Sequence, residues 1–178
     1  MSNRKSAIVD RLSGYWKMEL GNVLLLPAAM IALSYIQGYS LGWLSFISIV
    51  PMAGLLVIGG LYWRAKLLSV QGLHTPLFRT MALAAKLQWP LAVSSFSVAA
   101  LCLISWLYPS MSASFGDRCT ASIAAALAVL EYINYYHRQL QHFDHAADWK
   151  RLLQGEGFRP AQMAVDLTRY RNGVLRSV

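Results

Sequence analysis

Four apolar stretches separated by short polar ones set the pattern of this chain. Residues 20–36 read LGNVLLLPAAMIALSYI, and after QGYS residues 41–63 read LGWLSFISIVPMAGLLVIGGLYW. Residues 87–108 form a third run, LQWPLAVSSFSVAALCLISWLY, and residues 120–136 a shorter fourth, TASIAAALAVLEYINYY. A bilayer core about 30 Å thick needs about 20 helical residues, within a range of roughly 17 to 25. All four stretches are therefore predicted to be transmembrane helices. None holds a lysine or arginine, and only the fourth holds an acid, Glu131.

The flanks set the orientation. Basic residues collect on the cytoplasmic side of short connections. Arg4, Lys5, Arg11 and Lys17 lie in the polar segment 1–19, and Arg64, Lys66, Arg79 and Lys86 in the connection 64–86. QGYS has no charge, and PSMSASFGDRC has one arginine offset by Asp117. An even number of crossings puts every strong basic cluster, both termini included, in the cytoplasm. The expected fold class is all-α: a polytopic membrane protein with four transmembrane helices in two antiparallel hairpins. Its expected location is the plasma (inner) membrane. Tyr35, Tyr39, Trp43, Trp106 and Tyr108 would form the outer aromatic belt, and Trp16, Tyr62, Trp63, Trp89, Tyr135 and Tyr136 the inner one.

Two helices are predicted to outrun the lipid. Thr75–Pro76 is a cap followed by proline at the first helical position, so helix three starts in the cytoplasm. Helix four meets no glycine or proline from Thr120 until Gly155. A cytoplasmic helical extension and tail over 137–178 is expected, with Arg79 opposite Asp148 and Lys86 opposite Gln141. Beyond it, PAQMAVDLTRYRNGVL opens at Pro160 as a C-terminal amphipathic helix. Met163, Leu167, Tyr170 and Val174 share one side, expected to pack on the protein's own hairpin in preference to the membrane surface. Gly54, Gly59 and Gly60 in helix two and Ala121, Ala125 and Ala128 in helix four are small residues suited to close helix contact.

Composition supports the membrane assignment. The 178 residues are 56% hydrophobic and 13% charged, with mean hydropathy +0.40. A soluble domain carries about 25% charged residues, so these charges are too few to cover one. The net charge of +8 follows the membrane flanks and forms no separate basic domain, and no nucleic-acid-binding signature is present. Cys102 and Cys119 make neither a framework nor a metal-ligand spacing, and are read as two thiols. The polar N-terminal segment is too long for a cleavable signal and is expected to be retained.

The chemistry concentrates where the fourth run ends, in LEYINYYHRQLQHFDHAADW. An ionised carboxylate inside lipid is costly unless paired, and intramembrane acids usually face the bundle interior. Helical spacing puts Glu131 on a face with Asn134 or Tyr135, then Arg138, then His142 or His145. Glu19 and Asn22 enter helix one from the same side at similar depth. A polar cluster of helices one, three and four is expected, with Lys17, Lys86 and Gln88 nearby. Glu131, Asn134, Tyr135 and His137 are the candidate catalytic residues; Arg138, Glu19, Asn22, His142 and His145 are the candidates for holding an anionic headgroup. The competing reading is that the cluster only fixes helix register. No metal site is assigned, because no HExxH or repeated ExxH pattern is present. No cofactor motif, GxSxG elbow or phosphate loop appears either.

Three functions fit. The first is a small accessory or interaction subunit that docks on a larger membrane-protein partner or a second copy. The second is a membrane-embedded enzyme acting on a lipid or isoprenoid at the cytoplasmic leaflet, with Glu131 as acid or base. The third is a small-solute or proton-coupled transporter built on Glu19. The lipid bilayer is a partner in every case, and nucleic acid in none.

Overall fold

The computed structural model describes residues 3–140, 154 and 157–175. The elements among them are helices: α1 (Asn3–Ile36), α2 (Trp43–Val70), α3 (Thr75–Leu107), a 3-10 turn (Pro109–Met111), α4 (Phe115–Tyr136) and α5 (Gln162–Arg171). Three of them, α1 from Ser6, α2 and α3, are long and apolar enough to cross a membrane. In α4, Glu131, Asn134 and three tyrosines dilute a short apolar run.

The first three helices exceed their apolar runs because no breaker stops them. α1 starts at Asn3, so the segment 1–19 does not stand apart from the first helix. α2 continues past Trp63 to Val70, and α3 begins at Thr75 behind a His74 cap. Residues 71–74 join α2 to α3, so most of the 64–86 connection is helical. Glycine closes both turns around α2's ends of the chain: Gly38 at φ +71° and Gly72 at φ +100° take the left-handed backbone a side chain disfavours. Pro27, Pro51 and Pro90 each lie inside a helix that carries on through them. Each removes one backbone donor, a loss that membrane helices tolerate.

Helix four does not extend as expected. It ends at Tyr136, although the sequence offers no breaker there. Tertiary pairing takes the chain out of the helix: Arg138 forms an antiparallel bridge with Pro160. Gln139 N–H donates to the Arg159 carbonyl at 2.9 Å, and Ala161 N–H to that of His137 at 3.1 Å. The Asn134 side chain accepts from Leu140 N–H at 2.8 Å, which occupies the exit of the helix. The predicted pairings of Arg79 with Asp148 and Lys86 with Gln141 involve positions outside the described residues.

α2 is the hub and packs against α1, α3 and α4. Met52, Leu55, Ile58 and Tyr62 of α2 meet Met81 and Ala84 of α3 and Ala124, Ala128 and Tyr135 of α4 in the main core. α3 and α4 run side by side in opposite senses: Trp106 bonds Ser122, Phe96 meets Tyr132, and Tyr136 bonds Ala84. α5 inserts Met163 and Leu167 into the same core, while Val174 is exposed and leaves the expected stripe. Ala121, Ala125 and Ala128 are all buried in helix contacts. A Cβ at Gly60 would collide with Leu20 of α1, so the small residue sets how closely α1 approaches.

Outside this core lie large apolar side chains: Leu24, Tyr35 and Ile36 on α1, Trp89, Leu103 and Leu107 on α3. Contiguous apolar surface of this kind marks a membrane or protein contact. Helices of this length with this surface suit a membrane protein.

Candidate functional site

The buried acids of α1 and α4 meet across α2. Glu19 is 2% exposed, Glu131 6%, Asn134 8% and Tyr135 2%. Residues 131, 134 and 135 share a face because three and four positions make nearly one turn. Asn134 Nδ2 donates to Glu131 Oε2 at 3.2 Å. The Tyr135 phenol lies in interaction range of both carboxyl groups, which also lie in range of one another. Alignment is poor: neither Glu19 Oε1 nor the Tyr135 hydroxyl has a hydrogen bond of good geometry among the described residues. Gly59 makes the arrangement possible, since a Cβ there would overlap the Tyr135 ring and hydroxyl.

The cluster thus draws on α1, α2 and α4, with α2 where helix three was expected. Lys17 and Lys86 are exposed. Lys17 lies over the Trp16 ring at 5.8 Å, and Gln88 bonds Arg171. Asn22 is half-buried on α1. His137 caps the end of α4, exposed, with its ring edge-on to Tyr132 at 5.4 Å. Arg138 turns away and donates to the Phe158 carbonyl at 3.1 Å. Of the candidate residues, Glu19, Glu131, Asn134 and Tyr135 come together; Asn22, His137 and Arg138 do not join them. His142 and His145 lie outside the described residues. No group of three His, Cys, Asp or Glu side chains that could hold a metal occurs among the described residues. Cys102 and Cys119 are unbridged.

Two further acids were not singled out in the sequence, and both form nodes. Asp117, fully buried, holds the starts of α2 and α4 together. Its Oδ1 accepts from Gly42 N–H at 2.9 Å, Ser45 N–H at 3.2 Å and the Ser45 hydroxyl at 2.5 Å. Its Oδ2 accepts from Ala113 N–H at 2.9 Å. Burial pushes this carboxyl up, but the Ser45 hydroxyl and the Ala113, Gly42 and Ser45 amides outweigh it and hold the group below its ordinary value. The positive end of the α2 dipole acts in the same sense. In the sequence Asp117 reads as a loop acid cancelling Arg118; Arg118 instead stacks on Trp106 at 5.4 Å. Only the Ser114-x-x-Asp117 cap spacing hinted at its place, and the Ser114 hydroxyl does accept from Asp117 N–H.

Asp166 of α5 is 1% exposed. It accepts from the Tyr62 hydroxyl at 2.9 Å and from Lys66 at 2.5 Å, with Arg169 at 3.6 Å. Tyr62 and Lys66 are one turn apart on α2, so a single carboxylate reaches both. This node fastens α5 to the bundle.

Clefts open on the surface among the described residues. One of about 380 Å³ has Arg11, Lys66 and Arg159 in its wall, and one of about 150 Å³ between α1 and α4 has Ser34, Phe115 and Thr120 in its lining. A third, about 680 Å³, is an apolar groove between α3 and α4 with Gln88 and His137 in its lining. None of the three is lined by Glu19, Glu131 or Tyr135. No protein-family model matches the sequence, and no curated protein and no solved structure is significantly similar to it.

Proposed function

We propose that the chain is a four-span protein of the plasma (inner) membrane with both termini in the cytoplasm, acting as an accessory subunit that docks on a larger partner. One observation carries this reading: Glu19, Glu131, Asn134 and Tyr135 are buried by helix packing, whereas α1 and α3 present large apolar side chains outward. Such an arrangement suits a scaffold more than a reaction centre. Glu19, Glu131 and Tyr135 then set the register of α1 and α4 on α2.

The fourth span is supported by depth. α4 has 22 residues, about 33 Å at 1.5 Å per residue. It follows α2 from the Asp117–Ser45 bonds to the packing of Tyr135 on Gly59, about 21 Å of that helix, which supports a fourth crossing beside it. Two antiparallel hairpins with QGYS and the 109–114 turn outside follow from the lysine and arginine bias. An enzyme acting on lipid would need substrate at Glu131, and the groove lined by His137 does not include it.

Purification in mild detergent at native expression tests the proposal, with a stoichiometric membrane-protein partner as the expected result. A chain that remains a lone monomer overturns it. Reporter fusions after Gly38 and Ser112 are expected outside, and fusions after Gly72 and Leu175 inside; the two termini on opposite faces would overturn the topology.

A further inference from the structure

The groove between α3 and α4 has the profile of an amphiphile. Ala92, Val93, Phe96 and Ala100 of α3 form its apolar floor, with Tyr132 and Ile133 of α4 as the wall. Its volume of about 680 Å³ falls within the roughly 300–1,000 Å³ of small-molecule pockets. Gln88 to Ala100 covers about 18 Å of helix at 1.5 Å per residue, the scale of a fatty-acyl chain. The wall is stiff: Tyr132 meets Phe96 edge-on at 6.0 Å and stacks on Tyr136 at 5.1 Å, and Tyr136 is tied to the Ala84 carbonyl at 3.0 Å. The small residues Ala92, Ser97 and Ala100 leave the space open.

One end of the groove carries a cluster of polar groups. Gln88 and His137 line it there beside Trp89, and Arg171 of α5 donates to Gln88 Oε1 at 2.6 Å. No carboxylate is among the described residues that line the groove. Trp89 is 74% exposed, as suits a ring at headgroup level. In the proposed topology this end faces the cytoplasmic leaflet, whose anionic lipids attract basic residues.

We propose that this groove binds one anionic glycerophospholipid from the surrounding bilayer. An acyl chain lies on the α3 floor, and the phosphate faces Arg171, Gln88 and His137. The charge fits: a guanidinium fixed by a neutral amide at the mouth of an apolar slot recognises a phosphate, whereas a neutral apolar helix would leave it unmatched. The inference rests on the membrane reading and not on a protein partner.

Native mass spectrometry of the purified full chain in mild detergent tests it, with phosphatidylglycerol and phosphatidylcholine of identical chains as probes. The wild type is expected to retain one phosphatidylglycerol in preference to phosphatidylcholine. Arg171→Gln is expected to keep a lipid but lose about fivefold of that preference, the value of one cation at an anionic lipid surface. Ser97→Trp fills the slot and is expected to lose both lipids. Ala100→Phe, checked for unchanged helix content, serves if Ser97→Trp misfolds. Equal retention of the two lipids by the wild type, or undiminished retention by both filling variants, overturns the proposal. A dimer that the filling variants dissociate, with no lipid lost, would make a second copy the occupant and also overturn it. Because no other protein is present, failure here is distinct from failure to find a docking partner.

Discussion

Replacing Asp117 should loosen the joint between the starts of α2 and α4. Asp117→Ala removes four acceptor contacts at once. The Ser45 amide and hydroxyl are buried and have no route to water, while the Gly42 and Ala113 amides are only partly buried. The Ser45 hydroxyl keeps a second acceptor in the Asp117 backbone carbonyl at 3.0 Å. The Ser45 amide is therefore the buried donor left unpaired, at about 1–3 kcal/mol, to which the partly solvated Gly42 and Ala113 amides add. Asp117→Asn is milder. Its amide oxygen can replace Oδ1 and keep the Gly42 and Ser45 bonds, and its NH2 then faces the Ala113 amide, donor against donor. One partly solvated contact is lost, at about 1–2 kcal/mol. Reversible unfolding in mixed micelles measures both. The Ser45→Ala and Asp117→Ala pair should be strongly non-additive, because the two share a network. The pH dependence follows from the lowered carboxyl. Its stabilisation is complete above the ordinary aspartate value of 3.8 and is lost as pH falls through the still lower folded value. Asp117→Asn should flatten that acid limb. Equal losses for the alanine and asparagine variants would refute the acceptor geometry as the cause, and a loss under about 0.5 kcal/mol for alanine, the scale of an ordinary surface change, would refute the node altogether.

Gly59→Ala should destabilise by about 1–3 kcal/mol through overpacking, and Tyr135→Ala in the same chain should recover part of it; strict additivity would mean the two do not touch. Asp166→Ala leaves the Tyr62 hydroxyl buried without its acceptor and Lys66 able to turn to water, a loss of about 1–3 kcal/mol. Limited proteolysis between residues 157 and 161 should then accelerate, and an unchanged rate would show that the carboxylate does not anchor α5. Glu19→Gln supplies a donor beside Tyr135 and Glu131, so stability measured in the same micelles should stay within about 1 kcal/mol of wild type. A loss well beyond that would show that the buried pair needs both carboxylates.

Glu131, Asn134 and Tyr135 were recognisable as one face because helical spacing is local, and Glu19 because it enters lipid at matching depth. Their neighbour Gly59 was legible only as a small residue; that it makes room for Tyr135 depends on how α4 lies on α2. Asp117 and Asp166 escaped notice for a related reason. Each looks like an ordinary flank charge until a second helix end, Gly42–Ser45 or Tyr62–Lys66, is brought to it. The end of α4 at Tyr136 is the clearest local misreading. No breaker marks it, and the strand-like pairing with residues 159–161 lies more than 20 positions away.

What the sequence determined alone was the set of long apolar helices and the places where acids would have to be buried. Both follow from the cost of exposing backbone and charge to lipid, a cost each segment meets by itself. Tertiary structure decided which helix sits at the centre, where α4 stops, and which carboxylates became joints. Those outcomes depend on contacts between residues from about 20 positions apart, at the end of α4, to about 100 apart, at Asp166, and hydropathy, a property of single segments, carries no record of which segments touch.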